Sequence, residues 1–216
     1  MSRETSAQTR AMTQSFKIGR QFAIDGNVVP PIDRDVLIAQ EDAVPYPIPL
    51  SSCFVQDTGQ PLPAAATGTK LTLAPGTFGT ANPCLSAGDL KAAGATTRMA
   101  RAVVSLPPEY VRGRPFSIRI AAGMDTTVAD TTCTVDVEAF KVGRNQLVDG
   151  TDRVTTAAQS INSLTFAEKT FAVTGAGLAP GDQLDIRISL ACNDAATATA
   201  VTPKVASIDL MLDIQG

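Results

Sequence analysis

Asp136 and Glu138 are the two residues whose type and spacing come closest to those of a catalytic pair. They lie two residues apart in the alternating segment 133–139, so a strand places both carboxylates on one face, about 7 Å apart. That separation falls within the range used by glycosidases that invert the configuration of the sugar. Any polar strand face produces the same spacing, and no neighbouring residue indicates a raised pKa. The pair therefore predicts a solvated strand face rather than catalysis.

The composition also argues against an enzyme. The 216 residues include no histidine, which removes the usual general base, the usual partner of a catalytic serine and the commonest metal ligand. Glycine-rich stretches such as Gly76–Thr80 do not follow the spacing of a phosphate-binding loop. The net charge is −3, and the basic residues form no run that would bind nucleic acid. We therefore expect no catalysis, no cofactor and no nucleic-acid partner.

Five aspartates fall at the ends or edges of expected strands, where carboxylates gathered at one end of a β-sandwich could bind calcium. They are Asp125, Asp130, Asp182, Asp185 and Asp194. Their spacing does not follow the calcium-loop pattern of alternating acidic residues with a central glycine. We therefore interpret them as solvated turn residues and expect no metal site.

The four cysteines are widely separated, so none belongs to the closely spaced pair typical of a zinc or redox site. Cys133 and Cys192 fall on apolar strand faces, where a thiol behaves as a small hydrophobic group. The first twenty residues contain no apolar signal segment, and no apolar run is long enough to cross a membrane. We therefore predict cytoplasmic synthesis, no membrane association and four free thiols: Cys53, Cys84, Cys133 and Cys192.

The clearest secondary-structure elements lie in the last third of the chain. Two segments alternate apolar and polar residues, which places their apolar side chains on one face of a strand. The apolar positions are Leu184, Ile186, Ile188, Leu190 and Cys192, then Ile208, Leu210, Leu212 and Ile214. Shorter strands broken by glycine and proline precede them, as is typical of a sandwich or jelly roll. The sequence therefore predicts an all-β fold, an antiparallel jelly-roll-like β-sandwich over residues 50–216.

Ten apolar residues of the expected strands are predicted to form the core of this sandwich. They are Ile118, Ile120, Val135, Val137, Leu164, Phe166, Ile186, Ile188, Leu210 and Leu212. Two segments also share the same order of features. Each begins with Ile-Arg-Ile, continues through a loop rich in alanine and threonine, and ends in a second alternating strand. The two openings begin at Ile118 and Ile186. We interpret these segments as two long hairpins, one for each of two opposed sheets.

Residues 1–49 differ in character from the rest of the chain. Proline occupies every second position at Pro45, Pro47 and Pro49, which favours an extended, polyproline-like segment. The region also contains too many apolar residues for a solvated linker. We expect an extended N-terminal arm that packs on its own domain or on a neighbouring subunit. The residues predicted to make that interaction are Phe16, Ile18, Phe22, Val36, Ile38, Tyr46 and Ile48.

Several sequence segments, in the same order along the chain, resemble those of one known structural module. They are LPPEYV (106–111), RIAAGMDTTVADT (119–131), TTAAQSINSLTFAEK (155–169), GLAPGDQLDIRI (177–188), NDAATATAV (193–201) and the ending LMLDIQG. Together they make residues 69–216 similar to a β-sandwich module of structural proteins in tailed-bacteriophage virions. The resemblance implies no catalytic residue, and it does not include residues 1–49.

This resemblance implies a capsid decoration protein, which cements a phage head through protein–protein contacts. The sandwich would then lie on the outer capsid surface of the virion, and the arm would bind the major capsid protein or a sister protomer. The protein would be made in the host cytoplasm and form a homotrimer, since closed symmetry is usual in such assemblies. Two alternatives stay open: a tail, neck or fibre component, and a carbohydrate-binding module of a phage receptor-binding protein. The scarcity of aromatic residues and the absence of tryptophan argue against the carbohydrate-binding alternative.

Overall fold

The structure is a computed structural model that describes residues 22–24, 27–29, 43–143, 145, 147–195 and 199–213. Of residues 22–24, 27–29 and 93, only the backbone is described. The regular elements of the described residues are strands, apart from one short 3-10 helix at Leu50–Ser52. The strands are β1 (Phe22–Ile24), β2 (Asn27–Val29), β3 (Val44–Pro47), β4 (Thr72–Ala74), β5 (Cys84–Ser86), β6 (Ala92–Ser105), β7 (Phe116–Met124), β8 (Thr132–Val142), β9 (Gln159–Ser160), β10 (Ala167–Val173), β11 (Gln183–Asp194) and β12 (Pro203–Leu212).

Two antiparallel sheets form the body of the protein. The six-stranded sheet has the order β10-β7-β12-β5-β4, with β3 also paired to β12, and the four-stranded sheet has the order β6-β11-β8-β9. Buried side chains from both sheets form one hydrophobic core between them. Strands β1 and β2 pair separately as a short hairpin. The predicted fold class, an antiparallel jelly-roll-like β-sandwich, is confirmed.

The alternating strands bury the faces that the sequence predicts, with two exceptions. Eight of the ten expected core residues are at most 1% exposed, but Leu164 and Phe166 are 55% and 40% exposed. These two residues lie in the loop before β10, so their prediction as core is wrong. Phe171 and Val173, within β10, are buried instead. The alternation at 164–166 is too short to distinguish a strand from a loop.

The two predicted hairpins are wrong, because each segment crosses from one sheet to the other. Strands β7 and β12 belong to the six-stranded sheet, and β8 and β11 belong to the four-stranded sheet. The two segments pair with each other: β7 is hydrogen-bonded to β12 in one sheet, and β8 to β11 in the other. Alternation determines which side chains face the core, but it does not determine which strand is the partner. As a result, the repeated Ile-Arg-Ile places Arg119 and Arg187 on the outer faces of opposite sheets.

Cys133 and Cys192 form a disulfide, so the prediction of four free thiols is wrong. The two residues are Cα partners on β8 and β11, 4.1 Å apart, and both side chains point into the core. They are 59 residues apart in sequence, and strand register brings them together. Cys53 and Cys84 are free. Burial raises the pKa of the Cys53 thiol to about 11 and also raises that of Cys84, which disfavours the reactive thiolate.

Strand β3 extends the sandwich into the region assigned to the N-terminal arm. It pairs with β12, and just beyond its end the N–H of Ile48 donates to the carbonyl of Ile208 at 2.8 Å. Ile48 is 5% exposed, and Tyr46 packs against the core. The structure therefore places these two residues in the sandwich rather than in a separate arm. Phe22 lies in β1, and the remaining predicted arm residues lie outside the described part of the chain: Phe16, Ile18, Val36 and Ile38.

The alternating prolines lie on the edge of β3 that pairs with no strand in the described part of the chain. Backbone N–H groups alternate in direction along a strand, and the N–H of Ile48 points to β12. Pro45, Pro47 and Pro49 therefore face away from β12, and their side chains are exposed. Because proline has no N–H, this edge lacks the donors that a further strand would need. The segment is extended, as expected, and it blocks edge-to-edge pairing of the sheet.

Candidate functional site

Three charged side chains form a row across the outer face of the four-stranded sheet. Arg101 in β6, Arg187 in β11 and Glu138 in β8 are successive Cα partners in the register. Two guanidinium groups on neighbouring strands repel each other, so each requires a carboxylate. Arg187 forms an ion pair with Glu138, and Arg101 forms one with Asp185, two residues before Arg187 on β11.

Arg101 is held from three sides. Its Nε and Nη2 donate to the two carboxylate oxygens of Asp185, and its Nη1 donates to the carbonyl of Gln56 at 3.2 Å. The guanidinium carbon also lies 5.7 Å from the ring centroid of Phe54. Asp185 is only 9% exposed, so its charge depends on this bidentate partner. These contacts attach the loop at Gln56 to the sheet.

A cleft of about 270 Å³ opens over this row, and we refer to it as the sheet-face cleft. Its floor is the outer face of β6, β8 and β11. One wall is the loop at Gln56, and the other is the segment at Val148, which is joined to Val142 by a backbone bridge. Val148 is 43% exposed and Phe140 is partly exposed, so apolar surface lies beside the ion pairs. The lining residues are Gln56, Asp57, Arg101, Phe140, Val148, Asp185 and Arg187.

Two polar atoms of the lining residues are buried without a hydrogen-bond partner in the described part of the chain. They are Gln56 Oε1, an acceptor, and Arg187 Nε, a donor. Buried polar atoms in proteins are nearly always paired, with protein, water or a ligand. Arg119 on the opposite sheet also has an unpaired Nε but does not line this cleft. Two side chains that line the cleft thus carry a polar atom without a partner, and Arg119 provides a matched comparison.

No protein-family model matches the sequence, and no curated protein matches it significantly. Solved structures match it at low identity. A xylan-binding module matches with a TM-score of 0.41 and 11% identity, covering 81% of this chain and 99% of the module. A xylan-binding domain from Paenibacillus barcinonensis gives 0.38 and 11%, covering 71% and 92%. A mosquito-larvicidal toxin from Bacillus thuringiensis gives 0.40 and 14%, covering 70% and 22%. TM-scores below 0.5 identify no family.

The five strand-end aspartates do not form one cluster: three of them make separate ion pairs, and the other two contact each other. Three form ion pairs: Asp125 with Lys204, Asp182 with Lys141, and Asp185 with Arg101. Asp130 and Asp194 connect the loop between β7 and β8 to the end of β11. The N–H of Asp130 donates to Asp194 at 3.0 Å, and the N–H of Ala195 donates to Asp130 at 2.7 Å. Asp185 and Asp194 are buried, so their interpretation as solvated turn residues is wrong.

Asp136 and Glu138 lie on the outer face of β8, as predicted. Glu138 is ion-paired with Arg187, and a carboxylate oxygen of Asp136 accepts the N–H of Val137 at 3.0 Å. The two carboxylates therefore make separate contacts within the sheet face. Among the described residues, no group of three or more acidic, cysteine or histidine side chains is placed to hold a metal ion. The same residues contain no helix long and apolar enough to cross a membrane.

The sheet-face cleft itself was not predicted from the sequence. Its residues come from five separate stretches, and the sequence analysis identifies only Asp185 among them. One signal was present: Arg101 and Arg187 occupy outward positions of apolar strands, where a charge needs a partner. The sequence does not show that Gln56 and Phe140 lie beside these arginines, because that depends on strand order and register.

Proposed function

We propose that the protein is a non-catalytic binding module whose sheet-face cleft holds a neutral carbohydrate chain. The observation that supports this is that two side chains lining the cleft each carry a buried polar atom without a partner, beside a partly exposed aromatic ring. These groups are Gln56 Oε1, Arg187 Nε and the ring of Phe140. Sugar hydroxyls both donate and accept hydrogen bonds, and the C–H face of a sugar ring packs against an aromatic ring.

The charges around the cleft favour a neutral ligand over an anionic one. Arg101 is already neutralised by Asp185, and Arg187 by Glu138. Asp57 adds a further negative charge to the lining. An anionic ligand would therefore meet no excess of positive charge, whereas a neutral ligand gains hydrogen bonds without disrupting either ion pair.

The test is a glycan-array screen of the purified protein, followed by calorimetric titration of the best neutral glycan. We expect Phe140→Ala and Arg187→Gln to weaken binding roughly tenfold or more, because they remove the ring and the unpaired donor. Two matched controls should bind like the wild type. Phe166→Ala removes another partly exposed ring, and Arg119→Gln changes the equivalent arginine on the other sheet. Absence of any glycan ligand, or equal effects of cleft and control variants, contradicts the proposal.

A second candidate function is decoration of a phage capsid, favoured by the resemblance of residues 69–216 to virion β-sandwich modules. In this function a homotrimer lies on the capsid surface and binds the major capsid protein. The test compares the full-length protein with a chain lacking residues 1–42, which keeps β3, for binding to undecorated capsids. Loss of binding by the folded truncated chain supports the arm as the anchor, and undiminished binding assigns the contact to the sandwich. A full-length protein that binds only tails, seen by electron microscopy, contradicts this candidate.

A further inference from the structure

Asp194, at the end of β11, is a buried carboxylate with only one of its two oxygens paired. The residue is 3% exposed. Its Oδ1 accepts the N–H of Asp130 at 3.0 Å, whereas its Oδ2 is buried and has no hydrogen-bond partner among the described residues. Asp194 also forms no ion pair within the described part of the chain. A buried carboxylate without a neutralising group is costly in free energy, so its Oδ2 favours a positively charged ligand.

A second carboxylate lies beside that of Asp194. Asp130 belongs to the loop between β7 and β8, and its Oδ1 accepts the N–H of Ala195 at 2.7 Å. Each aspartate therefore reaches the backbone next to the other, and Asp130 is exposed, so the pair is open to solvent on its side. Two neighbouring carboxylates repel each other when both are ionised, and a divalent cation between them removes that repulsion.

The loop that carries Asp130 is fixed in place on both sides of this residue. Before it, Asn162 accepts the N–H of Ala129 and donates to its carbonyl, both at 2.8 Å, and Ala129 is buried. After it, the hydroxyl of Thr131 donates to the carboxylate of Asp130 at 3.2 Å. The two carboxylates are thus held near each other before any ion binds, which lowers the cost of ordering them around one.

We propose that a calcium ion binds between Asp130 and Asp194 and joins the β7–β8 loop to the end of β11. Calcium takes about six to eight oxygen ligands, which include carboxylates, backbone carbonyls and water. The Oδ2 of Asp194 and the carboxylate of Asp130 supply the negative charge, and water completes the shell on the exposed side. Magnesium requires a near-ideal octahedron and loses its water reluctantly, which disfavours it at a buried carboxylate.

This site differs from the expectation of no metal that was drawn from the spacing of the aspartates. The spacing rule applies to ligands within one continuous loop. Asp130 and Asp194 are 64 positions apart, and only the pairing of β8 with β11 brings them together. With two carboxylates rather than three or more, we expect a weak site, with a Kd of about 10⁻⁴–10⁻³ M.

The site is independent of the carbohydrate proposal. Asp194 lies at the opposite end of β11 from Asp185, and neither Asp130 nor Asp194 lines the sheet-face cleft. Glycan binding by Asp194→Asn should therefore equal that of the wild type. The two proposals can fail separately, because one is measured with glycans and the other with calcium alone.

The first experiment titrates chelator-treated protein with calcium chloride in a calorimeter and measures its Tm. We expect one calcium ion to bind, and the Tm to rise by about 2 °C or more at about 10 mM calcium. Asp194→Asn and Asp130→Asn should lose both effects. The matched control is Asp125→Asn, which changes an aspartate of the same loop that is ion-paired with Lys204, and it should respond like the wild type. Magnesium at the same concentration should raise the Tm less.

The second experiment compares the urea denaturation of Asp194→Asn and the wild type, with a chelator and with calcium. The amide keeps an acceptor for the N–H of Asp130 and removes the buried charge, so the variant should be at least as stable as the wild type in chelator. Calcium should reverse that order. A wild type with neither heat nor a change in Tm overturns the proposal. So does a calcium response that both variants keep, or a wild type that exceeds Asp194→Asn by the same margin in both conditions.

Discussion

Asp185 and Arg101 show how one buried carboxylate organises its surroundings. A carboxylate that is 9% exposed is costly to leave unpaired, and Arg101 supplies both of its hydrogen bonds. The same guanidinium then reaches the carbonyl of Gln56 and lies against the ring of Phe54. The charge of one residue thus determines where a distant loop attaches to the sheet.

Arg101→Ala should therefore destabilise the protein more than the matched change on the other sheet. We expect it to lower the free energy of unfolding by about 2–3 kcal/mol, because Asp185 is left without its partner. Arg119→Ala should cost less than about 1 kcal/mol, since neither of its ion pairs is a close bidentate pair like that of Arg101 with Asp185. Arg119 lies 3.6 Å from Glu168, which is 64% exposed, and 3.6 Å from Asp209. Urea denaturation measures both variants, and equal losses would contradict the role assigned to Asp185.

The lowered pKa of Asp182 predicts how the stability of the folded protein changes at acid pH. Burial opposes its charge, but hydrogen bonds from Lys141 and from the N–H of Ala179 outweigh burial and lower its pKa below the ordinary 3.8. The folded state therefore favours the ionised carboxylate, which stabilises the protein above the unfolded-state pKa. That contribution disappears as the pH falls through the lowered folded-state pKa.

Asp182→Asn should be less stable than the wild type at pH 7, and the difference should shrink below about pH 4. Glu109→Gln, at an exposed position in the turn before β7, is the control and should leave the pH profile unchanged. Urea denaturation between pH 2.5 and 7 gives the two profiles. A stability difference that stays constant over this range would show that Lys141 and Ala179 do not favour the ionised form.

At the scale of elements, the sequence predicts the faces of strands better than their partners. Alternation along β7, β8, β11 and β12 correctly identifies the buried side chains, because burial follows from local order. Pairing depends on residues far apart, so the crossings between sheets and the Cys133–Cys192 bridge could not be predicted. The sheet-face cleft could not be predicted for the same reason. The contact between Gln56 and Arg101 joins residues 45 positions apart, and it depends on how the loop at Gln56 packs against β6.

The Cys133–Cys192 bridge should stabilise the fold through the register of β8 and β11. It joins residues 59 positions apart, and closing such a loop restricts the unfolded chain enough to add about 2–4 kcal/mol. Reduction before urea denaturation should lower the stability by that amount, and the Cys133→Ala, Cys192→Ala double variant should no longer respond to reductant. Alkylation of the denatured protein without reductant should modify only Cys53 and Cys84. A denatured protein that takes up four alkyl groups before reduction would show that the bridge is absent.

At the scale of the whole molecule, the two crossing segments are arranged alike. Each begins with Ile-Arg-Ile, buries both isoleucines and turns its arginine outward, one in each sheet. The two segments pair with each other along β7–β12 and β8–β11, so they form the centre of both sheets. The similarity between the two segments in the sequence therefore corresponds to a similar arrangement in the structure, although neither segment forms a hairpin. It also explains why Arg119 and Arg187 are suitable matched controls for each other.

The boundary of the sandwich gives the last prediction, because β3 lies before residue 50. A chain lacking residues 1–42 keeps β3 and the buried side chain of Ile48, whereas a chain lacking residues 1–49 loses both. Removing a buried isoleucine alone costs about 2–5 kcal/mol, and loss of β3 also exposes the edge of β12. We therefore expect the shorter chain to be less stable than the longer one by about 3 kcal/mol or more in urea denaturation, and more prone to aggregate. If both truncated chains unfold at the same urea concentration, β3 does not belong to the stable fold and the boundary lies at residue 50.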